Sequence, residues 1–271
     1  MVILRYKSYA VFDCRTEKWR HYPKEGVMKD IVDSVGAFGP DGRLIWTGGR
    51  TTTQGLWGIP STISIGNYDI ELLADMKYPR TKHAAVAVGA HLYVFGGQHK
   101  EQFPGSRPVA DSVRCSSRVV WKTCERLHLL SDTAQWSPLP SLPSAKASLS
   151  ACAHGTDIYL CASIFTLQID LFDTVKATFR SVPITFPFNS ILMGSVLIYS
   201  QGIVLSFGHN HSDADIVGID VGRVLGGARE GVMGLAAGKA FKSQVYIKYF
   251  GGAVGKFTLG SGSFDLLTSE V

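Results

Sequence analysis

One stretch of the chain repeats itself. Arg80 to Gln98 reads RTKHAAVAVGAHLYVFGGQ, and Lys146 to Ile164 reads KASLSACAHGTDIYLCASI. The two align without a gap, with Arg80 on Lys146, Gly89 on Gly155, Tyr93 on Tyr159 and Gly96 on Ala162. Each copy has a basic start, an alternating strand of small apolar residues, a turn at Gly, a second apolar strand and a small-residue exit. A unit that recurs must stack on copies of itself to bury its apolar faces, and this limits the available folds sharply.

Weaker copies follow the same plan at Ser34–Arg50, Ser195–Asn210 and Gln244–Ala253. The small-residue exits begin at Gly48, Gly96, Ala162, Gly208 and Gly251, at spacings of 48, 66, 46 and 43 residues. A second signal lies between them. VFDCRTEKW ends at Trp19, HLLSDTAQW at Trp136 and DLFDTVKATF at Phe179. In each, an apolar strand leads to an Asp, then to turn residues, then to an aromatic. Asp13, Asp132 and Asp173 read as turn formers, since Asp bonds its own backbone two residues on. Each unit therefore holds four short strands, two before the exit and two flanking the Asp turn. Four strands per ~45 residues, repeated, is the pattern of a β-propeller blade. The aromatics Trp19, Trp136 and Phe179 are expected to wedge between blades.

This pattern resembles the kelch repeat family. The match is best at Pro79-Arg80, His83, Gly89, Leu92-Tyr93, Phe95-Gly96-Gly97 and Trp136. It covers essentially the whole chain but unevenly: Ala162-Ser163 replaces the glycine pair, and Phe207-Gly208-His209 has one glycine. The expected fold is all-β, a single kelch-type propeller over residues 1–271 with four-stranded blades. Five blades are explicit. The sixth would be built from Val2–Tyr6, Ser8–Asp13 and Lys18–Tyr22, with Phe264–Ser269 as its innermost strand. Five blades with an appended hairpin, or part of a longer propeller, are the other arrangements.

The interval between Gly96 and Ala162 exceeds the repeat by about twenty residues. The excess lies within Gln98–His128 and carries Arg107, Arg114, Arg118, Lys122 and Arg126. It reads as a long loop on one face, either a tolerated insertion or a partner contact.

The remaining composition restricts function more than it names one. The 271 residues include 29 Gly, only 18% are charged, and the net charge is +5 without any run of like charges. Disorder is excluded, and a nucleic-acid partner is not expected. No apolar run approaches the ~18 residues of a membrane helix, and a signal peptide is not expected at the N-terminus. Cys14, Cys115, Cys124, Cys152 and Cys161 form an odd set without a CxxC pair, so reduced thiols in a cytoplasmic protein are expected. No catalytic or cofactor motif is found. His209-Asn210-His211 with Asp213 and Asp215 has metal-ligand residue types but reads as a polar exposed loop, and no cofactor, metal or catalytic residue is assigned.

Binding sites on propellers are built where inner strands enter and leave. In kelch domains of the substrate-adaptor kind, polar residues there contact peptides. The resemblance carries this role to Arg50 and Thr52, to Gln98 and His99, to Lys82 and Ser148, and to His209 and Asn210. It implies a protein-interaction module whose ligand is another protein, with an acidic peptide segment suited to Arg50, Lys82 and Gln98. The second reading is a small-molecule or sugar-processing propeller enzyme of mutarotase type. That enzyme needs Arg, Glu and His together in the channel, and Glu is nearly absent from the exits.

Overall fold

The structure is a computed structural model that describes residues 2–4, 8–13, 18–23, 31–51, 59–65, 70–100, 111–115, 118–131, 133–162, 168–183, 193–200, 203–210, 213–220 and 232–236. Within these residues the chain is all-β, folded into small antiparallel sheets. No helix among them is long and apolar enough to cross a membrane.

The first sheet joins β1 (Val2–Leu4), β2 (Ser8–Asp13) and β3 (Lys18–Pro23) in sequence order. Next come β4 (Ile31–Val32), β5 (Val35–Phe38), β6 (Leu44–Thr47), β7 (Arg50–Thr51), β8 (Thr62–Ile65) and β9 (Ile70–Leu73). Of these, β5-β6-β8-β9 form a four-stranded sheet, and β4 pairs with β7 at its entrance. The strongest repeat supplies β10 (Ala84–Val88), β11 (His91–Phe95), β12 (Gln98–Lys100), β13 (Ser112–Cys115), β14 (Arg118–Trp121), β15 (Cys124–His128) and β16 (Ser137–Leu139). Its main sheet is β10-β11-β15-β16. The next sheet is β17 (Leu149–His154), β18 (Asp157–Ala162), β19 (Gln168–Asp173) and β20 (Thr178–Pro183). The last is β21 (Met193–Ser200), β22 (Ile203–Asn210), β23 (Asp213–Asp220) and β24 (Val232–Ala236).

Alternation along each strand explains why the sheets stack. In β11 Leu92 and Val94 join Val35, Ala37 and Ile45 of the preceding sheet in one core. Tyr93 and Phe95 point the other way, into a second core with Ile158, Leu160 and Phe172 of the following sheet. A strand buried on both faces reads as a continuous apolar run, as HLYVF does. Strand β10 lies against β5 and against β17, and β17 lies against β21.

The aromatics at the outer turns lie between sheets. Phe179 packs into the core shared with the preceding sheet, 6.2 Å from the Phe95 ring. Trp136 packs against the core shared with the first repeat and donates its indole N–H to Ala74 O at 2.8 Å. The side chain of Trp19 lies outside the described residues, but its backbone pairs with Phe12 as Phe179 pairs with Phe172. Asp13 opposite Lys18 likewise matches Asp173 opposite Thr178. Asp173 closes its turn by accepting the Val175 and Lys176 N–H groups at 2.9 Å each, and these bonds hold its carboxyl below the usual range. Asp132 lies outside the described residues.

Two expectations need correction. The long loop between Gln98 and His128 contains its own three-stranded sheet, β12-β14-β13, and its last five residues are β15 of the main sheet. The indole N–H of Trp121 in β14 reaches Pro79 O at 3.1 Å, anchoring this sheet to the repeat. In the last sheet, β22 runs without a break through Gly208, His209 and Asn210 and pairs with β23 from Asn210 opposite Asp213. These residues end a hairpin strand, so the segment is no exit loop. Of the expected sixth blade, the N-terminal strands form β1-β2-β3. The segment Phe264–Ser269 and the repeat at Gln244–Ala253 lie outside the described residues.

Candidate functional site

The small-residue exits do more than turn the chain. Gly48, Gly49, Gly96 and Gly97 all have positive φ, between 57° and 107°. The amide of Gly49 donates to Arg80 O at 2.7 Å, and that of Gly97 donates to Lys146 O at 2.8 Å. Each glycine pair thus grips the basic residue that opens the next repeat. A side chain at Gly96 would sit 2.6 Å from Lys146 O. That close approach is the physical reason for glycine here.

The two basic residues hold equivalent buried ion pairs. The Arg80 side chain is fully buried and donates to Gly96 O at 2.6 Å and to Thr123 O at 2.9 Å. It also donates to Thr123 Oγ1 at 2.9 Å and to Glu125 Oε1 at 2.6 Å. Glu125 Oε2 accepts the Lys77 N–H at 2.8 Å. In the next repeat Lys146 pairs with Asp170, whose other oxygen accepts from Gln168 and Ser181. Val94 is the cross-strand neighbour of Glu125, and Leu160 is that of Asp170. In the first repeat the same register places Ile63 at the acidic position, and Ile31, two residues before left-handed Asp33 as Arg80 is before Lys82, stands at the basic one; both are buried. Charge appears or disappears from both members together, as burial requires.

His83 sits where the first and second repeats meet. It is buried, and its Nε2 lies 2.8 Å from Thr47 Oγ1 in β6. Burial, reinforced by the Arg80 charge, depresses its pKa to about 3. The unfolded chain, with an ordinary value near 6.5, then binds more protons than the folded chain between about pH 3 and 6.5. His83 therefore makes stability fall as pH drops through that window, by up to roughly 1.4 kcal/mol per pH unit. Urea midpoints at pH 7 and pH 5 should diverge more for the native chain than for His83→Gln. Equal divergence would refute this assignment.

Of the residues assigned to binding, Lys82, Ser148, Gln98 and His99 lie along one edge. Lys82 O accepts the Leu149 N–H at 3.3 Å, so Lys82 and Ser148 are neighbours across two repeats. Thr81 and Gln98 exchange both backbone hydrogen bonds at 2.8 Å, which sets Lys82 beside the β12 strand of Gln98 and His99. Lys82, His99, Ser148 and Arg50 are half-buried. Gln98 departs from the expectation: it is 6% exposed, and its amide nitrogen has no hydrogen-bond partner among the described residues. Arg50 also differs, because its Nε bonds Asp33 Oδ2 at 2.6 Å and its charge is locally balanced. Thr52 lies outside the described residues, as do the side chains of His209 and Asn210, whose backbone belongs to the last sheet.

A further feature of this edge escapes sequence inspection. Asp33, Lys82 and Ser148 have φ of 56°, 55° and 54°. They stand just before β5, β10 and β17, the first strands of three successive sheets. Left-handed backbone costs an L-residue roughly 1–2 kcal/mol, and Gly would relieve it. The first repeat hides the equivalence because its β5–β6 hairpin has one residue more than the β10–β11 hairpin.

Elsewhere, a cleft of about 110 Å³ is lined by Tyr78, Asp111, Glu125 and Trp136 among others. Small-molecule sites usually begin near ~300 Å³. Cys124, Cys152 and Cys161 are buried free thiols, and burial raises the pKa of Cys124 to about 12 and of Cys161 to about 11. They are packing residues and not nucleophiles. No protein-family model matches the chain, and comparison with curated proteins returned no match.

Proposed function

We propose that the sheets are blades of a six-bladed kelch-type propeller. Its inner-strand edge, around Lys82, Ser148, His99 and Arg50, binds an extended acidic segment of a partner protein in the cytoplasm. The observation that carries this reading is the row of left-handed residues Asp33, Lys82 and Ser148. Three successive repeats keep a strained non-glycine residue at one edge, and such strain gathers where function needs a side chain. The contacts of β10 with both β5 and β17 agree with radial stacking. Lys82, His99, Lys100 and Arg118 supply donors near this edge, and β12 and β14 set Lys100 opposite Arg118. Charge-assisted hydrogen bonds from such donors are roughly twice as strong as neutral ones.

A random-peptide display selection against the purified chain tests the reading. Acidic peptides are expected to be enriched, and Lys82→Ala should weaken the best of them by ~1–3 kcal/mol if that contact is desolvated. Lys18→Ala, in the outer strand of the first sheet, should leave affinity unchanged. Enrichment without acidic bias, or equal effects of the two changes, would overturn it.

A further inference from the structure

At the opposite end of the same strands, β11 and β15 bring two histidines together. His91 and His128 are direct cross-strand partners. Their rings are 4.8 Å apart between centroids and nearly perpendicular, at 84°. His128 is exposed and His91 half-exposed, so solvent reaches both. Tyr93 and Arg126 are the next pair along the same face, with the His91 and Tyr93 rings 6.1 Å apart. We propose that His91 and His128 form a surface site for a borderline divalent transition-metal ion of the Cu²⁺, Ni²⁺ or Zn²⁺ type, clasping β11 to β15.

Neutral imidazole nitrogen suits these ions, and the open positions would be filled by water. Direct cross-strand partners lie with Cβ atoms ~4.5–5.5 Å apart, so two imidazoles can converge on one ion. Desolvation, the neighbouring His128 and Arg126 together lower the pKa of His91. The Arg126 charge also opposes a dication, so the affinity is that of an exposed site and not of a closed structural one. The proposal is independent of the peptide edge, since this pair lies at the strand ends far from Gly96.

Titration of the purified chain with Cu²⁺, followed by electron paramagnetic resonance, tests it. One ion with two equatorial nitrogen ligands is expected. His91→Ala and His128→Ala should each weaken binding more than about ten-fold and leave one nitrogen. Replacing both His209 and His211 by Ala should leave the signal unchanged, and thermal midpoints would confirm that every variant is folded. No two-nitrogen signal in the parent, or full affinity in folded His128→Ala, would overturn the proposal.

Discussion

Glu125→Ala is expected to destabilise the fold by about 3–5 kcal/mol, the usual cost of stranding one member of a buried ion pair. The loss leaves the fully buried Arg80 guanidinium without its carboxylate and removes the acceptor of the Lys77 N–H. Arg80→Ile alone should be similarly harmful, because it strands Glu125. The double change Arg80→Ile with Glu125→Ile should recover much of the loss, since the first repeat already uses Ile31 and Ile63 at these positions. Recovery will be incomplete, because Thr123 O and Gly96 O also lose a donor. Urea unfolding of the two singles and the double gives the coupling directly. A double variant as unstable as the sum of the singles would contradict the pairing.

Gly48→Ala should be nearly as severe, and it has a matched control. Gly48 and Gly89 have almost the same φ, 58° and 56°. An added Cβ at Gly89 meets nothing within 4 Å, so only left-handed strain of roughly 1–2 kcal/mol is expected there. At Gly48 the same Cβ meets Arg80 O and lies 2.7 Å from His83 Cε1. The Arg80 carbonyl is held by the Gly49 amide and cannot withdraw freely. Overpacking adds about 1–3 kcal/mol to the strain. Thermal or urea unfolding of both variants should therefore separate them clearly. Equal losses would mean that the exit glycines serve turn geometry alone.

The repeat itself was legible because strand alternation and turn residues are local. Asp13 and Asp173 announce the outer turn, and Tyr93 and Tyr159 mark equivalent strand positions. The basic residues Arg80 and Lys146 were visible as a recurring start, but their partners were not. Glu125 and Asp170 become equivalent only through the cross-strand register to Val94 and Leu160. In sequence the inserted sheet reads as a loop, because Pro104, Gly105 and Pro108 interrupt the segment and Arg118–Trp121 is short and flanked by polar residues. In sequence His209 and Asn210 read as an exit, because Gly208 resembles the other exits. There, pairing of the whole of β22 with β23 outweighs the local turn signal. The left-handed conformation at Lys82 and Ser148 carries no sequence mark, since neither residue type favours it.

On the proposed function, Asp33, Lys82 and Ser148 stay left-handed and non-glycine because the partner needs their side chains. Lys82→Gly tests it most directly, read in one sample by melting and by affinity for the best selected acidic peptide. Relief of left-handed strain should raise the melting temperature or leave it unchanged, while peptide affinity falls about ten-fold or more. Undiminished peptide affinity in the Lys82→Gly chain would contradict the account.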